Sequence, residues 1–308
     1  SHTPDWVETT VVSTPNGTTS NALVVADLAH VLWAVNLRCL GFHPWPYRAA
    51  DPDHADELRI DLDPQPGVDF AMVREADGSL SLPDRREVAS AADDLSRRTP
   101  LAGIAAIGLD GTSSTLLCCT GDGTPLGPAL MYNDARSTAE AACIAGIAPA
   151  TSGAHGASSS LAKLLFLQSQ GLTTDATHAL HQADWLLGRL AGRYGVTDEN
   201  NALKLGYDPV QRCWPEWLDA LDVDRRLLPR VVPPGQVTGT LDERWRQRWG
   251  FSETTHIVSG TTDSTAAFLA TGAAPGEAVT SLGSTLVVKI FSEQPIFDPE
   301  FGIYSHRL

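Results

Sequence analysis

The chain has 308 residues, 43% hydrophobic and 19% charged, which excludes a disordered polar chain and leaves room for two modest domains with ordinary cores. Its net charge of −15 works against gripping a phosphate backbone, so nucleic acid is not an expected partner of the whole chain. No apolar run nears the roughly 20 residues of a membrane span, Ser1-His2-Thr3-Pro4-Asp5 lacks the parts of a signal peptide, and Cys39, Cys118, Cys119, Cys143 and Cys213 lack metal spacing and suit a reducing cytoplasm.

In chain order, Asn21 to Leu40 reads as a helix, with Val24, Leu28, Val31, Leu32 and Val35 at three- and four-residue spacing. His43-Pro44-Trp45-Pro46 and Asp51-Pro52-Asp53-His54 are turn-rich. Leu58 to Asp63 alternates apolar and charged residues like a strand, and Pro64 and Pro66 stop it. The alternation puts Asp61 and Asp63 on one face, where two carboxylates suit magnesium or manganese; an exposed strand face is the plainer and favoured reading. The texture changes near Asp77-Gly78-Ser79. Leu82 to Arg98 is charged and reads as a surface helix.

From Ala102 onward, buried strands and tight turns dominate. Ile104 to Leu109 is an apolar strand, Asp110-Gly111-Thr112-Ser113 a turn, Thr115 to Cys119 a strand and Gly121-Asp122-Gly123 a hairpin turn. Helices are expected over Ser137 to Ile147, over Ser159 to Gln168 and near Trp185 to Leu190. Ile257 to Gly260 reads as a strand ending in a helix start, and Ala278 to Phe291 as two strand-like runs about Gly283. The order is that of an α/β domain behind a shorter segment of different style.

Four passages in this second part carry a family resemblance by their order. They are Asp110-Gly111-Thr112-Ser113; Tyr132-Asn133-Asp134-Ala135-Arg136; Asp184-Trp185-Leu186 with Asn201 to Asp208; and Ser259-Gly260-Thr261-Thr262-Asp263-Ser264 with Ser281-Leu282-Gly283-Ser284-Thr285. Each alone is common turn chemistry. As an ordered set they resemble the first domain of FGGY-type ATP-dependent sugar kinases, nearest the xylulokinase-like branch that includes ribulose-phosphorylating enzymes of phototrophs.

That resemblance implies a ribonuclease H-like, actin/hexokinase-type α/β domain. It also implies phosphoryl transfer from ATP with Mg2+ to a ketose or related polyol. By the same resemblance Asp263 is the base, Gly283, Ser284 and Thr285 hold phosphate, and Thr112, Ser113, Asn133, Asp134 and Arg136 border the sugar. A sugar hydroxyl is a poor nucleophile at neutral pH, so a carboxylate must take its proton as the phosphoryl group arrives. The plainer readings are that Asp263 caps a helix, that Gly283 to Thr285 is a hairpin turn, that Asp134 and Arg136 form a surface ion pair, and that Thr112 and Ser113 only turn the chain.

The family's Gly-x-Asp-x-Gly-Thr phosphate loop has no counterpart, because Gly67-Val68-Asp69-Phe70 runs into Ala71-Met72. The resemblance also implies a second domain beyond Leu308 carrying the adenosine pocket, so turnover by this stretch alone is not expected. The front segment is similar instead to the primase-polymerase domain associated with bacterial ligase D. It matches over Ser20 to Asp27, His43 to Pro46 and Asp51 to Gly67, with Asp61 and Asp63 in the place of that family's metal pair. The similarity fades after about Glu75, and that family's later His motif and third metal carboxylate have no match.

The expected organisation is a partial α+β primase-polymerase-like segment over 1–77, a junction over 78–99 and an incomplete sugar-kinase first domain over 100–308. The rival functions are a metal-dependent nucleotidyltransferase of DNA ends and a catalytically dead sugar-binding module.

Overall fold

The computed structural model describes residues 6–13, 18–24, 47–48, 51–55, 92–93, 95–97, 100–282, 286–298, 301 and 303–308. The chain divides into two compact units, one built largely from Ser1–Asp63 and the other from Pro64–Ser281 and Leu286–Leu308.

In the first unit, β1 (Thr9–Ser13) pairs antiparallel with β2 (Thr19–Leu23), with Thr9 opposite Leu23 and Ser13 opposite Thr19. β3 (Tyr47–Arg48) pairs with β4 (Asp51–Ala55). The helix expected from Asn21 is corrected at its start, because Asn21 to Leu23 lie in β2. The β-branched run Thr9-Thr10-Val11-Val12 supplies a strand edge, and pairing with it outweighs the helical spacing that begins at Val24. The expected strand Leu58 to Asp63, with Asp61 and Asp63, lies outside the described residues. So do Gly67 to Met72 and the texture change at Asp77.

The second unit opens with helical residues Ala92, Asp93 and Leu95 to Arg97, within the expected surface helix. Then follow β5 (Ala106–Ile107), β6 (Asp110–Gly111), β7 (Leu116–Cys119), α1 (Thr138–Ile147), α2 (Ser160–Ser169), β8 (His178–His181), α3 (Gln182–Ala191), β9 (Val196–Asp198) and α4 (Glu199–Leu203). The chain continues through β10 (Arg230–Val232), β11 (Val237–Thr240), α5 (Glu243–Trp249), β12 (His256–Val258), β13 (Thr261–Thr262), α6 (Asp263–Leu269), β14 (Ala278–Leu282) and β15 (Leu286–Ile290). Among the described residues no helix is long and apolar enough to cross a membrane.

Local chemistry starts and stops these helices. Ser159 caps α2, its hydroxyl accepting from Ala162 N at 3.2 Å. Gly192 ends α3 and Gly250 ends α5 in the left-handed conformation that glycine adopts without penalty. One core gathers Leu116, Leu130, Ile144, Leu161, Leu164, Leu205, Leu218 and Leu227 between β7, α1 and α2. A second gathers Ala92, Leu101, Leu187, Leu190, Leu241, Trp249 and Ile257. Asp93 fastens the start of this unit to α5, accepting from Arg248 at 2.8 and 2.6 Å and from Trp249 Nε1 at 2.8 Å. These bonds hold its carboxyl down at about 2.

The feature that organises the site is one interrupted parallel pair. Ala106 and Ile107 of β5 face His256 and Ile257 of β12; further along, Asp110 and Gly111 of β6 face Thr261 and Thr262 of β13. The single strand expected over Ile104 to Leu109 is thus split, and the expected turn begins later, since Asp110 and Gly111 are paired residues. At the interruption the backbones nearly touch: a Cβ on Gly260 would sit 1.7 Å from the carbonyl oxygen of Leu109. Only glycine fits there. Gly260→Ala is therefore expected to destabilise by about 3 kcal/mol or more, because the obstacle is backbone rather than a movable side chain. Denaturant melts check this, and a loss below about 1 kcal/mol would show that the two strands can separate cheaply.

Candidate active site

Because β6 and β13 are parallel neighbours, the residues that follow them leave the sheet at the same end. Those residues are Thr112 and Asp263. Thr112 begins a tight turn, with Thr115 N donating to Thr112 O at 3.4 Å, and inside it Ser114 takes a φ of 69°. The hydroxyls of Thr112 and Thr115 lie 2.6 Å apart, and Thr112 Oγ1 donates to Gln182 Oε1 at 3.2 Å. Ser113 is half-buried beside them.

The segment Tyr132 to Arg136 is bound to the same turn. Leu116 and Leu130 exchange backbone bonds of 3.0 and 2.8 Å, and one step further Tyr132 N donates to Thr115 Oγ1 at 3.0 Å. Lys163 of α2 lies under both, completely buried, donating to Ser114 O at 2.8 Å and Met131 O at 2.7 Å. Burial pushes its ammonium down to about 8, against the pull of the Asp134 charge. Asp134 and Arg136 grip each other: Oδ1 accepts from Arg136 Nε at 3.0 Å and Oδ2 lies 2.8 Å from Nη2. The Asp134 side chain is 14% exposed and that of Arg136 60%, so the pair turns its guanidinium outward. Asn133 is exposed next to them.

Asp263 opens α6 on the exposed side. The cap position belongs to Thr262, while Asp263 Oδ1 accepts from Ser264 N. Lys289 of β15 donates to the carbonyl and, at 3.1 Å, to the hydroxyl of Ser264. Burial pushes the Lys289 ammonium below the ordinary lysine value and the Asp263 charge opposes that. Thr261 is held from behind by Asn200, whose Nδ2 donates to Thr261 Oγ1 at 3.0 Å and whose Oδ1 meets His306 Nδ1 at 3.2 Å. Burial, then the Lys289 and Lys204 charges, bring His306 down to about 4, so its ring is neutral at neutral pH. Gly283, Ser284 and Thr285 lie outside the described residues, between β14 and β15.

The structure thus brings Thr112, Ser113, Asn133, Asp134 and Arg136 onto two mutually bonded loops and sets Asp263 at the end of the strand beside the first. Sequence reasoning missed Lys163, Gln182, Asn200, Lys289 and His306. Lys163 had a signal: it is the one charge inside the apolar run Leu161-Ala162-Lys163-Leu164-Leu165-Phe166.

Behind the loops runs a buried polar chain. Ser160 Oγ and His181 Nε2 are 2.8 Å apart, and His181 Nδ1 lies 3.3 Å from Asp184 Oδ2. Asp198 caps α4 through Asn200 N and Asn201 N and accepts from Asn201 Nδ2 at 2.6 Å. Among the described residues no group of three or more His, Cys, Asp or Glu side chains converges as a metal site.

Comparison with known proteins adds the following. Residues 86–270 match the N-terminal domain of the FGGY family of carbohydrate kinases, and residues 1–81 match the primase-polymerase domain of LigD. A xylulose kinase from Streptomyces rubiginosus is 33% identical over 206 residues, 63% of this chain and 42% of its own length. One from Streptomyces coelicolor is 31% identical over 208 residues, with the same coverage of 63% and 42%. The chain therefore spans about two fifths of these relatives. The crystal structure of a ligand-bound xylulose kinase from Lactobacillus acidophilus superposes with a TM-score of 0.63 at 19% identity, covering 71% of this chain and 46% of that one. The shared fold is the actin/hexokinase-like one expected from the sequence.

The buried carboxylates yield a pH prediction. Burial, then the Asp184 charge, push Asp198 up to about 6 from the ordinary 3.8, so between those values the folded state binds more protons than the unfolded chain. The contribution is fully present below about pH 4 and is lost as pH rises through about 6. Asp198→Asn keeps the cap, and the Asn201 carbonyl oxygen, unpartnered in this structure, can turn to accept from the new amide. Urea midpoints across pH 4 to 8 should fall less steeply in the variant, which gains on the order of 2 kcal/mol at pH 7 relative to the parent. Identical slopes would assign the proton elsewhere.

Proposed function

The chain belongs to the FGGY family of carbohydrate kinases through that N-terminal domain, and from this we propose that it is the sugar-binding half of an ATP-dependent ketose kinase. What supports the reading is the parallel pairing of β6 with β13, from which Thr112 and Asp263 leave at the same end, the Thr112 turn being bonded to the Tyr132 to Arg136 loop. Base and acceptor hydroxyl must meet within hydrogen-bond reach, so elements that bind one must adjoin the element that carries the other.

In this reading Thr112, Ser113 and Asn133 meet the sugar hydroxyls, and the Asp134–Arg136 pair offers acceptors and donors together. Asp263 accepts the proton of the attacking hydroxyl. The backbone N–H groups and hydroxyls of Gly283, Ser284 and Thr285 take the phosphate oxygens. Lys289, bonded to the residue after the base, places a cation whose charge attracts that of Asp263. ATP binding requires the half that this stretch does not span. The described residues form no cage for Mg2+. A cytoplasmic setting follows from a soluble sugar and ATP as substrates. The front segment keeps its likeness to a nucleotide-transferring domain, with Asp61 and Asp63 as its metal pair.

Calorimetric titration of the chain with D-xylulose, with and without ATP, tests the sugar half of the proposal; saturable binding is expected, and none would remove it. Joined to the C-terminal half of the Streptomyces rubiginosus kinase, the chain should phosphorylate the sugar. In that protein Asp263→Asn should lower kcat by about a hundredfold or more while sugar affinity changes little. Turnover near the parent rate would leave Asp263 a helix-start residue. Sugar binding with no turnover in any pairing would instead favour the dead binding module.

A further inference from the structure

We propose that Lys163 is a positioning residue: its ammonium ties the Thr112 to Ser114 turn to the Met131 to Arg136 loop and sets the distance between the side chains the two present to the sugar. The proposal rests on the sugar-site reading above.

The placement of the ammonium carries it. The two backbone segments pair at Leu116 and Leu130 and then diverge toward the site, bridged once more by Tyr132 N and Thr115 Oγ1. Lys163 Nζ sits in the fork they open, donating to Ser114 O and Met131 O, one acceptor from each branch, at 2.8 and 2.7 Å. Its side chain is 0% exposed, so it does not touch substrate.

Two physical points separate this from filling of the core. Burying an ammonium costs several kcal/mol, and a methionine of similar length would occupy the same space without that penalty. The charge must therefore return something that packing does not. What it returns is directional: Ser114 is held at a φ of 69°, a left-handed conformation that is unfavourable for a non-glycine residue. Pulling the Ser114 carbonyl inward favours that conformation and so aims the Thr112-Ser113 edge. On the other branch, the Met131 carbonyl is followed by Asn133 and Asp134, and the attraction between the Lys163 and Asp134 charges draws that loop to the same point. Lys163 thereby couples the two halves of the sugar surface without meeting the sugar.

The test compares Lys163→Met with Leu164→Ala, a completely buried neighbour on α2 whose loss removes core packing and whose side chain has no polar atom to hold either loop. Amide hydrogen exchange and D-xylulose titration are run on both variants of the full chain. Lys163→Met should speed exchange specifically over residues 112–115 and 131–136 and weaken D-xylulose binding by about tenfold or more. Leu164→Ala, though destabilised, should leave affinity within about twofold of the parent. Equal loop exchange in the two variants, or Lys163→Met affinity within about twofold of the parent, overturns the proposal. If the parent itself binds no D-xylulose, the sugar reading fails, while loop exchange faster in Lys163→Met alone still upholds the tie. Should Lys163→Met not fold, Lys163→Gln, which keeps an amide donor, takes its place; an intermediate loosening of the same loops supports the proposal and none sinks it.

Discussion

The site depends on the close parallel approach of two interrupted strands. Ile107 faces Ile257 in the interior, the backbones then come nearly into contact at Leu109 and Gly260, and the pairing resumes at Asp110 with Thr261 and at Gly111 with Thr262. Parallel pairing makes both chains leave at one end, so a turn from one and a helix start from the other become neighbours although about 150 residues separate them. Nothing local in either passage produces that proximity. It comes from a hydrogen-bond register and from the missing side chain at one position, which lets the register continue past the contact.

Around this pair the second unit buries several titratable side chains. Lys163, His181, Asp184, Asp198 and Glu199 are all at most 5% exposed. A buried charge is a net cost unless hydrogen bonds and opposite charges satisfy it. Here they do: Lys163 holds two carbonyls, Asp198 holds the first turn of α4, and Glu199 meets Arg212 at 2.7 Å with Arg307 at 3.7 Å. Lys163 and Glu199 join elements apart in the sequence, while Asp198 ties β9 to the helix that follows it. Apolar packing alone permits small slips between helices and loops, whereas a satisfied buried charge tolerates few geometries. A rigid cradle for the two loops and for the strand carrying Asp263 is the structural return.

Much of this architecture was legible in advance, for a reason that differs by element. α1, α2 and α3 appear close to where apolar spacing and their flanking residues put them, because a helix closes its hydrogen bonds within its own segment. The Gly121 to Gly123 turn also appears, with Gly123 at a φ of 80°. The helix read from Asn21 failed at its start because β2 is completed by a partner strand, which its own residues do not contain. The Asp110 to Ser113 turn was read two residues early for the same reason: Asp110 and Gly111 look like turn residues, yet β13 pairs with them.

The residues bearing the chemistry follow the same division. Motif order alone was enough to nominate Thr112, Asn133, Asp134, Arg136 and Asp263 and to assign the family, because those residue types recur in a fixed sequence along the chain. Their mutual placement was decided only in the folded molecule. The meeting of Lys163 with both loops and the support of Thr261 by Asn200 and His306 join atoms by hydrogen bonds whose partners are chosen by packing. The sequence by itself determined where α1, α2 and α3 form and which side chains can handle a proton or a hydroxyl. The tertiary structure alone decided which of them stand together, since strand pairing and buried polar contacts act between residues whose separation along the chain carries no trace of their distance in space.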